Sequence, residues 1–343
     1  MLGLALSVAG LALIYWLFPI YRFNQTRYFL DVIQIIWPPL LIASPIYIAF
    51  VDSRQANPDD GYLHLGLLAT GEWSQLDRAV LWQHCLQWLV KAFFMPLMIM
   101  LFAEGFVGLQ RNPIEATIAL FFLDPNIDNW LKVYGRLYDY LFLVDVGIAS
   151  VGYLLTLKLF DSHLRSAEPT LLGWVVCLAC YTPFWSVFGP SYFNYGADTP
   201  WGYWFEGWPM LKLLWSILIL MLIGTYALST VQFGIRFSNL THRGIITNGP
   251  YSWLKHPAYI SKNLSYWLMS LPFLSTAGIG EGLRNSALLL GVNMIYYLRA
   301  KTEEVHLRND PIYRDYEAFM RNHGLLGMML RRLTAVLASL RPG

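Results

Sequence analysis

The sequence predicts an all-α fold, a polytopic transmembrane helical bundle of about eight spans. Three observations predict it. Of 343 residues, 56% are hydrophobic and 13% are charged, about half the charged share of an ordinary soluble domain. The apolar residues cluster into blocks of about 20, the length a helix needs to cross hydrocarbon. Lipid offers no partner to a backbone N–H or C=O, so each spanning block must be helical.

The blocks fall at residues 2–21, 29–50, 80–107, 138–160, 171–188, 210–231, 264–277 and 286–298. The last two are short, so they read as tilted spans or as a helical hairpin of restricted depth. Residues 118–123 form a weaker apolar stretch that reads as interfacial or re-entrant. The first block starts at Leu2 with no basic segment before it and no clear small-residue cleavage site. It therefore reads as a retained helix rather than a signal peptide.

Lys and Arg set the orientation. Residues 190–208 contain neither and belong outside. Residues 236–262 carry Arg236, Arg243, Lys255 and Lys262 and belong to the cytoplasmic side, as does the basic tail after Arg299. Eight spans then place the N-terminus in the cytoplasm. Arg22, Arg27, Arg111, Lys132 and Arg136 run against the rule in the first half. Sequons at Asn24, Asn239 and Asn263 carry little weight, the last two falling on the cytoplasmic side.

The 190–208 linker is rich in Tyr and Trp, which suits an interfacial belt. The alternative is a lid over a lipid-facing groove. The three cysteines give no disulfide framework, and Cys85, Cys177 and Cys180 read as small buried hydrophobes. Lys91, Glu104 and Asp145 lie inside apolar blocks, as a Lys91–Asp145 pair, snorkelling side chains, or the wall of a polar cavity. A net charge of +2 without a long basic run excludes a nucleic-acid partner. The pattern specifies no oligomeric state.

Chemistry concentrates between residues 236 and 320. A first cluster runs over residues 247–259. Asn248-Gly249-Pro250 signals a turn. Pro257 disfavours helical geometry at His256 and suits a first helical position, so His256 should sit just before a helix. That helix start, reinforced by Lys255 and His256, suits a carboxylate or phosphate; plain capping or a headgroup contact is the simpler reading. A second cluster spans residues 299–307, where Arg299 pairs with Glu303, and Ala300 with Glu304, on shared helix faces. A solvated helix at the membrane surface accounts for it alone. Because the two clusters flank one short hairpin, both should meet at the same surface and form a cytosol-facing pocket.

Together the clusters resemble the isoprenylcysteine carboxyl methyltransferase family and, more broadly, membrane methyltransferases that include the phospholipid methyltransferases. The resemblance rests on Gly249-Pro250-Tyr251, Lys255-His256-Pro257-Ala258-Tyr259, Arg299, Glu303-Glu304-Val305-His306-Leu307 and Tyr313-Arg314-Asp315-Tyr316, in that order. It covers roughly a quarter of the chain, within 209–343, and leaves the helices of 1–208 without a role.

The resemblance implies S-adenosyl-L-methionine as cofactor and methyl transfer to a membrane lipid or lipidated small substrate. Tyr251, Lys255, His256, Pro257, Tyr259, Glu303 and Glu304 would form the cofactor site. Arg299, Glu304 and His256 would carry catalysis, with Arg299 beside the methyl acceptor. A carboxylate acceptor needs only that arginine; an amine needs a base, His256 or Glu303.

Three departures bear on the substrate. Lys255 replaces the usual Arg and lacks its two-pronged fork. Ser261 replaces a usual glycine. Lys262-Asn263 stand where the family has apolar residues. The rival readings are a sterol-reductase-like enzyme using NADPH and a non-enzymatic transporter. The Glu303-Glu304-x-x-Leu307 pattern speaks against the first, and the lack of two related halves against the second. His256, Glu304 and His306 match no strong metal-ligand spacing.

Overall fold

Apolar blocks become helices wherever no proline or turn interrupts them. The computed structural model describes residues 2–17, 27–54, 59–196, 199–325, 327–329 and 331. The chain runs α1 (Leu2–Leu17), α2 (Arg27–Asp52), α3 (Gly61–Thr70), α4 (Arg78–Arg111), α5 (Ile114–Leu123) and α6 (Ile127–Leu154). It continues through β1 (Ser166–Ala167), α7 (Leu171–Leu178), α8 (Phe184–Tyr192), α9 (Trp201–Trp204), α10 (Pro209–Phe233), β2 (Thr241–His242), α11 (Pro257–Ser270), α12 (Ile279–Leu307) and α13 (Pro311–His323). The two short strands pair antiparallel, Ser166 opposite His242.

Of the eight spans expected, three have a counterpart that is long and apolar enough among the described residues. Arg78–Leu123, Ile127–Leu154 and Pro209–Arg236 are long and apolar enough to cross a membrane. Local features bear on the others. The described part of the first block is α1, 16 residues. Helix α2 runs 26 residues with Pro38, Pro39 and Pro45 inside it, and Leu41–Asp52 is an apolar helical stretch among its described residues. The 171–188 block breaks after Leu178 and restarts at Phe184. The 264–277 block stops at Ser270, where Leu271 turns left-handed. Helix α12 has the length, 29 residues, but Glu281, Arg284, Asn285, Asn293 and Arg299 make it too polar. Arg22 and Asn24, like residues 18–21 of the first block, lie outside the described residues.

The chain falls into two compact units built from interleaved stretches. The first combines Met1–Val107, Val146–Pro169 and Gly234–Gly244. Here α1 meets α3 so closely that a Cβ on Gly3 would stand 1.8 Å from the Tyr62 carbonyl. Lys91 donates to the Thr156 hydroxyl. Arg243 is buried, and its guanidinium donates to the carbonyls of Gly152 at 2.8 Å, Leu155 at 3.1 Å, Ser162 at 2.7 Å and Phe237 at 2.7 Å. It thereby serves carbonyls that the end of α6 leaves without helical partners. Burial pushes the Arg243 pKa down to about 10. Cys85, expected inside, is exposed; Cys177, in the other unit, is buried as expected.

The second unit combines Gly108–Asp145, Thr170–Phe233 and Ile245–Gly343. One core gathers Trp201, Ile219, Ile223 and Leu271, so Trp201 belongs to the interior rather than to the interfacial belt expected of the linker. A second gathers Leu289, Val292 and Tyr296 of α12 against Tyr259, Tyr266 and Trp267 of α11. Asp145 accepts from Tyr226 and Thr230, each at 2.5 Å. The α11–α12 hairpin is registered by a polar clasp: Asn293 donates to Asn263 at 2.5 Å and accepts from the Trp267 indole at 2.7 Å.

Candidate active site

The first polar stretch begins with a turn that only glycine enters without strain. Gly249 has φ +56°, and a Cβ there would stand 2.9 Å from the Gln232 side chain. The short 3-10 turn Gly249–Ser252 follows. It buries Tyr251 edge-on against Phe233 at 5.2 Å. The Tyr251 carbonyl accepts from the Tyr316 hydroxyl at 2.7 Å, which ties α13 to the turn.

His256 then occupies the residue before α11, with Pro257 at the first helical position, as its sequence predicts. One turn along, Tyr259 lies parallel to the His256 ring, centroids 5.5 Å apart. Both side chains reach α12. The Tyr259 hydroxyl donates to Glu303. His256 Nε2 lies 3.1 Å from Glu304 Oε1, and Nδ1 lies 3.7 Å from Glu303 Oε2. Two carboxylates thus fix the plane of the imidazole.

Glu304 is 2% exposed and is the hub of the cluster. Lys255 Nζ approaches one carboxylate oxygen at 2.8 Å, Lys301 Nζ the other at 2.8 Å, and Arg308 follows at 3.8 Å. Burial opposes ionisation of this carboxyl. Hydrogen bonds from His256, Lys255 and Lys301 outweigh it and hold the group well below the usual carboxylate range. Lys255 also reaches Glu317 of α13 at 3.4 Å, and Arg308 clasps Glu317 at 2.8 and 2.9 Å. Those contacts brace α13 over the cluster.

Beside the cluster opens a cavity of about 470 Å³, within the range of small-molecule sites. Lys255, His256, Lys301 and Glu304 form its charged end. Tyr259, Trp267, Tyr297 and Trp253 supply aromatic surface, Asn263 and Asn293 supply amides, and Met320 and Gly324 close it from the α13 side. A nucleoside joined to an amino acid needs aromatic faces, hydrogen-bond partners and a cationic place for its carboxylate. The lining offers aromatic faces and hydrogen-bond partners, with Lys255 and Lys301 paired to Glu304 at its charged end.

Not every residue singled out by sequence lines this cavity. Lys255, His256, Tyr259 and Glu304 do. Pro257 is buried at the helix start, and Tyr251 props the turn beneath α13. Glu303 sits behind Tyr259 and His256. Arg299 is buried with its guanidinium 4.8 Å from the Tyr259 ring centre and 5.4 Å from that of Tyr181. Trp253, Trp267, Asn293 and Tyr297 were not singled out. Asn263 and Trp267 recur four apart on α11, as do Asn293 and Tyr297 on α12, a pattern that would have placed each pair on one face.

No family model matches the chain, and neither a curated protein nor a solved structure is significantly similar to it.

Proposed function

We propose that this protein is a multi-pass membrane enzyme whose second unit transfers a methyl group from S-adenosylmethionine to a lipidic acceptor at the cytosolic surface. One observation carries the reading. Two stretches about 45 residues apart, 255–259 and 299–304, interlock through His256–Glu304, Lys255–Glu304 and Tyr259–Glu303 contacts beside a single cavity. The charged end of that cavity adjoins an apolar, aromatic hairpin, the combination a soluble cofactor and a lipid substrate require together.

S-adenosylmethionine supplies a methyl carbon on a sulfonium, which an acceptor takes by in-line displacement. The chain's own residues do the positioning. Lys255 and Lys301, both paired to Glu304, line the charged end of the cavity, while the faces of Tyr259 and Tyr297 suit a cationic centre. With its Nε2–H donated to the Glu304 carboxylate, the His256 ring can take a proton at Nδ1 where the acceptor is an amine or hydroxyl. Such positioning supplies about 7–11 kcal/mol of barrier lowering in favourable cases.

Equilibrium binding to the full-length protein in detergent tests this. S-adenosylmethionine should bind, NADPH should not compete, and Tyr259→Ala should weaken binding at least tenfold. Absence of S-adenosylmethionine binding, or displacement by NADPH, overturns the proposal.

A further inference from the structure

Away from Glu304 the rim of the cofactor cavity is apolar and open. Trp253 is 70% exposed, and Leu264 of α11 and Tyr297 of α12, which also line the cavity, are exposed as well. Helix α13 extends that surface. Tyr313, Tyr316 and Met320 are its buried face. Ile312 and Phe319 lie seven residues apart, about two turns, so they share one edge, and both are exposed. Arg314 and Arg321, also seven apart and exposed, lie about 200° round the helix, on the opposite edge. Asp315, Ala318 and Asn322 fill the outer face between the edges. Past Gly324, Leu325, Met328 and Met329 fall at the spacing of one helix face, and all three are exposed. The Leu325 N–H donates to the Trp253 carbonyl at 2.8 Å, which joins that face to the cavity rim.

Helix α10 sets the depth of this surface. The stretch Pro209–Arg236 has 28 residues, about 42 Å of helix against a hydrocarbon core of about 30 Å, so its ends reach the headgroup layers. Phe233, near one end, packs edge-on against Tyr251 at 5.2 Å, and Tyr316 of α13 donates to the Tyr251 carbonyl at 2.7 Å. Those contacts hold the turn, and α13 with it, at headgroup level. There an apolar edge finds the acyl boundary while a basic edge stays in water.

We propose that the Ile312–Phe319 edge of α13 and the face of Leu325, Met328 and Met329 seat in the headgroup–acyl boundary of the adjoining leaflet, so that the bilayer itself forms the outer wall of the cavity beside Trp253, Leu264 and Tyr297. Met320 and Gly324, which close the cavity from the α13 side, lie in sequence between the two seated segments, so the seat fixes that wall too. The consequence for S-adenosylmethionine rests on the methyl-transfer reading; the seat itself does not.

The environment-sensitive fluorophore NBD tests it, attached at Phe319→Cys, Met329→Cys or Arg321→Cys. The carrier is the full-length protein with Cys85, Cys177 and Cys180 replaced by alanine, in phosphatidylcholine nanodiscs. A nitroxide-bearing phosphatidylcholine should quench the label at 319 and 329 roughly threefold more than at 321, and aqueous iodide should do the reverse. Iodide reaching all three positions alike overturns the proposal. Shielding of 319 and 329 from both quenchers, with two chains in each nanodisc, overturns it in favour of a second copy of the chain. Should the cysteine-free protein fail to fold, the wild type is irradiated with a diazirine-bearing phosphatidylcholine; adducts should map to residues 312–329, and their absence there while the spans are labelled overturns the seat. S-adenosylmethionine binding is measured in the same nanodiscs, where Phe319→Glu combined with Met329→Glu should weaken it roughly fivefold. Unchanged binding in that variant ends the claim that lipid walls the cavity. Lipid contact without any S-adenosylmethionine binding by the wild type ends the methyl-transfer reading and leaves the seat, whereas binding beside an iodide-accessible edge ends the seat alone.

Discussion

Replacing Glu304 with glutamine removes one negative charge and almost no volume, so it isolates the electrostatic part of the cluster. The carboxylate holds Lys255 and Lys301 at 2.8 Å each, His256 at 3.1 Å and Arg308 at 3.8 Å. Removing one member of a buried pair typically costs about 3–5 kcal/mol, because the partners stay buried and uncompensated. The partners here are unequal. Lys301 and Arg308 have side chains 46% and 47% exposed and can turn to water. Lys255 and His256, 28% and 17% exposed, are more confined. The expected loss therefore lies near the lower end, about 3 kcal/mol. Chemical unfolding of wild type and Glu304→Gln in the same detergent measures it, at pH 7 and low salt. A change below about 0.5 kcal/mol, the ordinary scatter of surface substitutions, would refute the view that this carboxylate neutralises the cluster. A second readout follows from geometry. His256 loses the carboxylate partner on Nε2, so its ring resonances in NMR should move in the variant and stay put in a control at the half-buried Glu281.

Acid should expose the same group. Glu304, opposed by burial but held down by its cations, and Glu317, held down chiefly by Arg308, both have folded-state pKa values below the ordinary 4.5. Carboxylates lowered in this way stabilise the fold above about pH 5, and that stabilisation is lost as the pH falls through their folded values. Unfolding free energy should drop between pH 6 and pH 3 in the wild type and drop less steeply in Glu304→Gln; parallel slopes would contradict the prediction. Gly249→Ala places a Cβ at φ +56° and 2.9 Å from Gln232, so it should cost at least about 1 kcal/mol. It should also weaken S-adenosylmethionine binding by displacing Lys255 and His256, which a titration of the purified variant would show.

The local geometry around the candidate site was legible because its signals are local. His256-Pro257 announces a helix start through proline's own geometry, and the structure places that start at Pro257. Arg299, Glu303 and Glu304 fall where a continuous helix puts them, and α12 runs unbroken through all three. Hydropathy failed where it counts apolar residues without seeing what interrupts them. The turn after Leu178 splits one expected span into two short helices, and the left-handed Leu271 ends another. Which residues line the cavity was hidden for a different reason. Glu303 and Glu304 are adjacent in sequence, yet only Glu304 lines the cavity, and that choice depends on the rotation of α12 against α11. Lys262 was visible as an orienting cation and as a departure from an apolar pattern; its aromatic surroundings come from α6 and α10, other parts of the chain.

The Asn263–Asn293–Trp267 clasp acts at a distance. Asn293 precedes Glu304 by eleven residues, about 16 Å along the helix axis. Pivoting α12 about that fulcrum by only about 5° would swing its charged end by about 1.4 Å over such an arm. A contact of 2.8 Å between Lys255 and Glu304 does not survive such a swing. The fidelity of the ionic end is therefore set midway down the hairpin, by two amides and an indole that carry no charge.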